Sequence, residues 1–165
     1  MRIVFDLDGV MRDLGTIVCK RWKTPRHTDW NQKFLGKNFV ELINDDMSVL
    51  EEAPPTRYLK VIKKHFKHIE LWSHQFSEWY ELTEKWLNTH IGEGNYTIEY
   101  LCSEKKHNKL KEENVTLIED YPFFPNYDNI ILIDTPYNQK VKSAFRVKTA
   151  KELDAILKRY KEIYG

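Results

Sequence analysis

Cysteine is scarce in this chain: Cys19 and Cys102 are the only two among 165 residues, far apart and outside any Cys-x-x-Cys pair. A disulfide framework and a thiolate zinc site are therefore not what organises it, and both thiols are expected to behave as small core-like side chains. An excess of one charge is also missing, because 26 Lys and Arg face 25 Asp and Glu. No global field then draws the chain to nucleic acid or to an anionic membrane, and any phosphate it binds must be bound locally. No apolar run approaches the length that crosses a bilayer. The opening Met-Arg-Ile-Val-Phe-Asp turns acidic too early for a signal peptide, so the expected compartment is the cytoplasm. Repeats and low-complexity tracts are absent. What remains is the composition of one ordinary globular domain, 41% hydrophobic and 31% charged, spanning residues 1–165.

What is present is a rhythm of short apolar runs alternating with helical patterns, which predicts an α/β fold. The runs Arg2–Phe5, Ile69–Trp72, Thr97–Leu101, Val115–Ile118, Asn129–Ile133 and Phe145–Val147 are the strand candidates, and most are short and nearly continuously apolar, as buried parallel strands should be. Between them Tyr58, Leu59, Ile62 and Phe66 share one helical face, as do Phe76, Trp79, Tyr80, Thr83, Trp86 and Leu87. Leu153, Ile156, Leu157 and Tyr160 repeat the spacing in a last helix, whose start is marked by Thr149 and Glu152 as a capping box. Stripes at this spacing predict core packing. The segment from about Cys19 to Ala53 breaks the rhythm and reads as an inserted cap, closed by Pro54-Pro55. Its basic run Lys20, Arg21, Lys23, Arg26, His27 reads either as a solvated face or as charge overhanging a phosphorylated substrate.

The first apolar strand runs directly into Asp6-Leu7-Asp8-Gly9-Val10. This puts two carboxylates on one side of the chain at a strand's carboxyl end, where open α/β sheets bind ligands. Two close carboxylates repel unless a cation lies between them, and a hard ion such as Mg²⁺ suits oxygen ligands. Gly9 allows the backbone to turn away tightly.

Phe5-Asp6-Leu7-Asp8-Gly9-Val10 resembles the first motif of haloacid dehalogenase superfamily phosphatases. The resemblance implies a three-layer α/β sandwich with a mostly parallel central sheet and a small helical cap after the first strand. It implies that Asp6 attacks phosphorus and that Asp8 protonates the leaving oxygen and later activates water. It also implies three further stations. A hydroxyl should close the next strand, and Ile69-Glu70-Leu71-Trp72 leads into Ser73, which would hydrogen-bond a phosphoryl oxygen. A lysine should stand near the start of a later helix: reading forward from Ser103-Glu104 gives Lys105 or Lys106, the preferred pair, whereas counting back from the next strand gives Lys109. An acid should close a further strand, and Thr116-Leu117-Ile118-Glu119-Asp120 supplies Asp120 as a metal ligand beside Asp6 and Asp8. Glu119 stands where relatives often carry Asp, which departs from the usual metal surroundings.

Further on, Ile130-Ile131-Leu132-Ile133-Asp134-Thr135-Pro136-Tyr137-Asn138 is similar to the strand and Pro-Tyr-Asn turn of the 5′(3′)-deoxyribonucleotidase branch and its bacterial and phage relatives. The implied activity is Mg²⁺-dependent hydrolysis of a small phosphomonoester, a nucleoside monophosphate above all, through an aspartyl-phosphate. A polynucleotide 3′-phosphatase, a phosphoprotein phosphatase and a catalytically silent metal- or phosphate-binding module are the alternatives.

Overall fold

The computed structural model describes residues 2–123, 128–143 and 145–164. Six strands, β1 (Arg2–Phe5), β2 (Ile69–Ser73), β3 (Tyr96–Tyr100), β4 (Val115–Glu119), β5 (Ile130–Ile133) and β6 (Phe145–Val147), form one sheet in the order β3-β2-β1-β4-β5-β6. Every pairing is parallel. Each expected strand is present with its ends moved by no more than about a residue; the central runs are apolar on both faces, which only a covered sheet satisfies, while β3 and β6 lie at the edges.

Alternation along the strands sorts their side chains to two sides. Ile3 and Phe5 of β1, Ile69 and Leu71 of β2, and Ile131 and Ile133 of β5 enter one core cluster. There they meet Leu59 and Ile62 of α4 (Leu59–His65), Trp86 and Leu87 of α5 (Tyr80–His90), and Leu153 and Leu157 of α7 (Ala150–Tyr164). Val4, Trp72, Val115, Leu117 and Ile130 enter a second cluster, covered by Leu110 of α6 (Ser103–Glu112). The result is a Rossmann-like sandwich with helices over both faces of the sheet. Helix α7 begins with the expected capping box: the Glu152 amide donates to Thr149 Oγ1 at 3.2 Å, and the Thr149 amide to Glu152 Oε2 at 3.1 Å. The aromatic stripe ahead of α5 is core packing except at its first member, since Phe76 precedes the helix and is 44% exposed.

Between β1 and α4 the chain forms α1 (Leu14–Trp22), α2 (Phe39–Asp45) and α3 (Val49–Glu52). These helices build a core of their own from Leu14, Val18, Leu42, Ile43, Val49, Leu50 and Ala53, closed by Trp79 from the short 3₁₀ turn before α5. The insertion thus begins at Leu14, ahead of Cys19. Asp13 starts its first helix by accepting from the Thr16 amide at 2.9 Å. Asn38 and Glu41 form a reciprocal cap on α2.

Of the basic run, Arg21 pairs with Asp46 and Glu52 inside the insertion, and Arg26 with Thr16 and with Asp13 at its first helix's cap. His27 is not solvated: it is buried with its ring edge-on to Phe34 and Phe39. Cys102 also departs from expectation, being exposed at the residue that precedes α6, while Cys19 is half-buried. Among the described residues, no helix is long and apolar enough to cross a membrane.

Candidate active site

The strand order reverses at β1. From there the chain builds β2 and β3 to one side, then returns to lay β4, β5 and β6 on the other. The carboxyl ends of β1 and β4 flank this switch point, where the loops diverge and leave a crevice. The β1–β4 register pairs Phe5 with Ile118, so the next residues, Asp6 and Glu119, leave the sheet side by side. The Asp6 amide still donates to Ile118 O at 2.8 Å, which fixes where its side chain departs.

Asp6, Glu119 and Asp120 are all buried, and each offers an oxygen within 4.8 Å of the others. Lys106 of α6, itself buried, donates to Asp6 Oδ1 and to Glu119 Oε2, the latter at 2.9 Å. Glu119 Oε1 accepts from the Asp120 amide at 3.1 Å and the Tyr121 amide at 3.2 Å. Glu119 therefore shapes the turn and orients the lysine, beyond adding charge. Three carboxylates against one ammonium leave two uncompensated negative charges. Burial first, and then repulsion from Glu119, pushes the Asp6 carboxyl up to about 8, although Lys106 opposes the rise. Burial, Glu119 and Asp6 raise Asp120 well above the ordinary carboxylate range. Burial works against the Lys106 charge, but Asp6 and Glu119 outweigh it and the group is raised, so it stays an ammonium. An all-oxygen cluster short of two positive charges fits a hard divalent cation, with Asp6 and Asp120 as the side chains that would hold it.

Asp120 is held from three directions. The half-buried Tyr137 donates its hydroxyl to Oδ2. Asn138, fully buried, donates from Nδ2 to Asp120 O at 2.9 Å and to Ile133 O at 2.8 Å, tying the end of β4 to that of β5. Its Oδ1 accepts from the Thr135 amide and from Arg146, so every polar atom of the side chain is used. On the third side lies Gly9, at φ +83°, where a Cβ would overlap the Asp120 carboxylate. Glycine is required there for its backbone angle and for the space it leaves.

Asp8 stands beside this cluster, close enough for its charge to act on Asp6, and joins a second network. Arg12, fully buried, donates from Nε to Asp8 Oδ1 at 2.6 Å and from Nη2 to Asp8 Oδ2 at 3.0 Å. Its remaining N–H groups reach Leu50 O of the insertion at 3.0 Å, Thr83 Oγ1 at 3.2 Å and Gln75 Oε1 at 3.3 Å. Gln75 then donates to Asp8 Oδ2 at 2.5 Å and to Ser73 Oγ at 3.1 Å. Five donors meet five acceptors, the condition under which a buried guanidinium is tolerated.

Of the residues expected from sequence, Asp6, Lys106 and Asp120 come together directly, and Asp8 and Ser73 join through Gln75. Lys105 does not take part: it lies exposed one position off the buried face of α6. Lys109 is spent on Glu99 and Glu113 outside the crevice. Sequence reasoning passed over Arg12 and Gln75, whose partners lie up to 71 positions away and leave no local pattern. It saw the Pro-Tyr-Asn segment, but not that Tyr137 and Asn138 both grip Asp120. Compared with protein-family models and with curated proteins, the sequence matches none.

Proposed function

We propose that this protein is a Mg²⁺-dependent phosphomonoesterase of the haloacid dehalogenase type, acting on a nucleoside monophosphate through a phosphorylated Asp6. The observation that carries the reading is the buried set Asp6, Glu119 and Asp120 facing Lys106 at the switch point of the sheet, with two negative charges left over. Asp6, Asp120 and the Asp8 main-chain carbonyl would hold the Mg²⁺, which when bound supplies charge neutralisation for an incoming phosphate.

The chain's own groups do the rest. Lys106 leaves one Asp6 oxygen free, and that oxygen attacks phosphorus as the bond to the leaving sugar oxygen breaks. Asp8 gives the leaving oxygen a proton in the first half and takes one from water in the second, when the bond between phosphorus and Asp6 is cleaved. Arg12 and Gln75 hold that carboxyl in place. Ser73 and Lys106 stabilise charge on the transferring group.

The test is release of inorganic phosphate from dUMP by the purified protein with and without Mg²⁺, beside the Asp6→Asn variant. Activity that needs both the metal and Asp6 is expected. An Asp6→Asn protein as active as wild type ends the assignment. Faster turnover of a 3′-phosphorylated oligonucleotide or a phosphopeptide than of dUMP moves the substrate to that class, and no turnover of any phosphomonoester leaves a binding module.

A further inference from the structure

Among the described residues, left-handed backbone at a non-glycine position occurs at Lys23, φ 52°, and Leu35, φ 54°, and both lie in the connection between α1 and α2. A residue with a Cβ is disfavoured there and keeps that angle only where its surroundings impose it. Leu35 is 72% exposed, so burial of its own side chain does not offset the cost. The same connection holds two polar atoms, Thr24 Oγ1 and His27 Nε2, buried without a protein partner. Each of these opposes folding. A segment that combines backbone strain with unpaired buried polar atoms belongs to the part of a fold that opens first.

A cage of rings keeps it closed. His27, 8% exposed, meets Phe34 at 4.5 Å and Phe39 at 5.0 Å between ring centroids, with interplanar angles of 88° and 90°. Phe34 stands in a turn closed by reciprocal main-chain bonds with Lys37, and Phe39 is the first residue of α2. The imidazole thus pins the connection to the helix. Charged groups on each side of the cage are engaged elsewhere. On α2, Lys37 pairs with Asp45 and Glu41 caps the Asn38 amide; towards α1, Arg26 bonds Asp13 and Thr16, and the Cys19 thiol donates to Pro25 O. Burial lowers the imidazole from its ordinary 6.5, so it sits in the cage neutral. A proton on Nε2 would put a positive charge among phenyl rings, on an N–H with no acceptor.

We propose that His27 is a proton-operated latch: neutral, it fastens residues 24–37 to α2, and protonated, it leaves the Phe34–Phe39 cage and frees that segment. The segment carries Trp30, which packs 5.0 Å from Tyr121 and 5.3 Å from Tyr137, the residue whose hydroxyl holds Asp120. Release therefore strips one ring from the support of the carboxylate cluster. The latch does not depend on the phosphatase reading. Since the closed state resists protonation, its hold is complete above 6.5 and weakens as pH falls below that value.

Amide hydrogen exchange of the full chain, read by mass spectrometry from about pH 7.5 to about pH 5 and corrected for the intrinsic pH dependence of exchange, tests this. Protection of residues 24–37 should fall below pH 6.5 by up to about tenfold for each pH unit, while the strands stay protected. His27→Phe fills the cage with a ring that takes no proton, and its loop protection should not vary with pH. His27→Gln, also without a titrating group, should be equally flat and serves in place of the phenylalanine if that variant fails to fold. Wild-type loop protection that does not change with pH, or that falls equally in the variants, overturns the latch. So does an NMR titration in which the His27 ring nitrogens protonate while Trp30 keeps its contacts with Tyr121.

Discussion

Urea unfolding in a chelating buffer, repeated from about pH 4 to about pH 8, reads directly on the overcharged carboxylate cluster. The Asp6 carboxyl rises from its ordinary 3.8 to about 8 on folding, chiefly through burial and the neighbouring Glu119. A carboxyl harder to ionise in the folded state binds its proton more tightly there. The folded protein therefore holds more protons than the unfolded chain between the two values, and stability must fall as pH rises across them. Asp6's contribution is complete below about pH 4 and gone above about pH 8. At about 1.4 kcal/mol for each pH step, the loss across this window has an upper bound of roughly 6 kcal/mol. Asn at position 6 keeps the shape without the charge, so the Asp6→Asn protein should lose most of the slope. Near neutral pH, without divalent cation, it should be the more stable of the two by about 2 kcal/mol or more. Saturating Mg²⁺ should then reverse the order, since only the wild type has the full ligand set and gains the binding free energy. Wild-type stability that is flat or rises with pH in chelator, together with an Asp6→Asn protein that is the weaker one there, would refute the argument.

Exchanging lysines tests the helical phase of α6: Lys106→Met should abolish phosphate release and destabilise the fold by about 3 kcal/mol or more, because it strips from buried Asp6 and Glu119 the ammonium that pairs with both. Lys105→Met, at an exposed position, should stay within about 0.5 kcal/mol of wild type by the same urea titration. Gly9→Ala meets the Asp120 carboxylate and a φ of +83°, so the melting temperature should drop by an amount equivalent to about 2 kcal/mol or more, and heat of Mg²⁺ binding should be lost. Tyr137→Phe removes a hydroxyl from Asp120 without changing the ring; Mg²⁺ affinity by calorimetry should fall about tenfold or more, with little change in unfolding midpoint. Arg12→Met takes the buried guanidinium from Asp8 and leaves Leu50 O and Thr83 Oγ1 without the N–H groups they accept from it, so unfolding free energy should fall by about 3–5 kcal/mol, a loss that Thr83→Val should not reproduce in full.

The central strands were legible because β1, β4 and β5 are apolar on both faces, a pattern that few other environments satisfy, whereas edge strand β3 shows alternation, with Thr97 and Glu99 exposed. The candidate acids were legible for a related reason: Asp6 and Asp120 interrupt such runs at their carboxyl ends. The lysine was readable to within a turn, and a sharper signal was available. Leu110 is the single aliphatic residue in Ser-Glu-Lys-Lys-His-Asn-Lys-Leu-Lys-Glu, and the residue four before it on the same helical face is Lys106. The start of the insertion was set too late although Asp13 and Thr16 have the spacing of a helix cap and Leu14, Ile17 and Val18 share one helical face; both signals were there to be read. Arg12 could not be foreseen. In sequence it looks like an ordinary loop cation, and only folding brings Leu50, Gln75 and Thr83 around it.

The same guanidinium ties the helical insertion to the sheet. Since it joins Leu50 of the helical insertion to Asp8 and Gln75 at the sheet, swinging the three helices about Asp13 and Pro54 would pull buried N–H groups off their acceptors with no water to replace them. The helices and the sheet edge therefore travel as one body. The stretch carrying Trp30 is held separately, by the turn bonds of Thr28, Asn31 and Gln32 and by the contact of its ring with Tyr121.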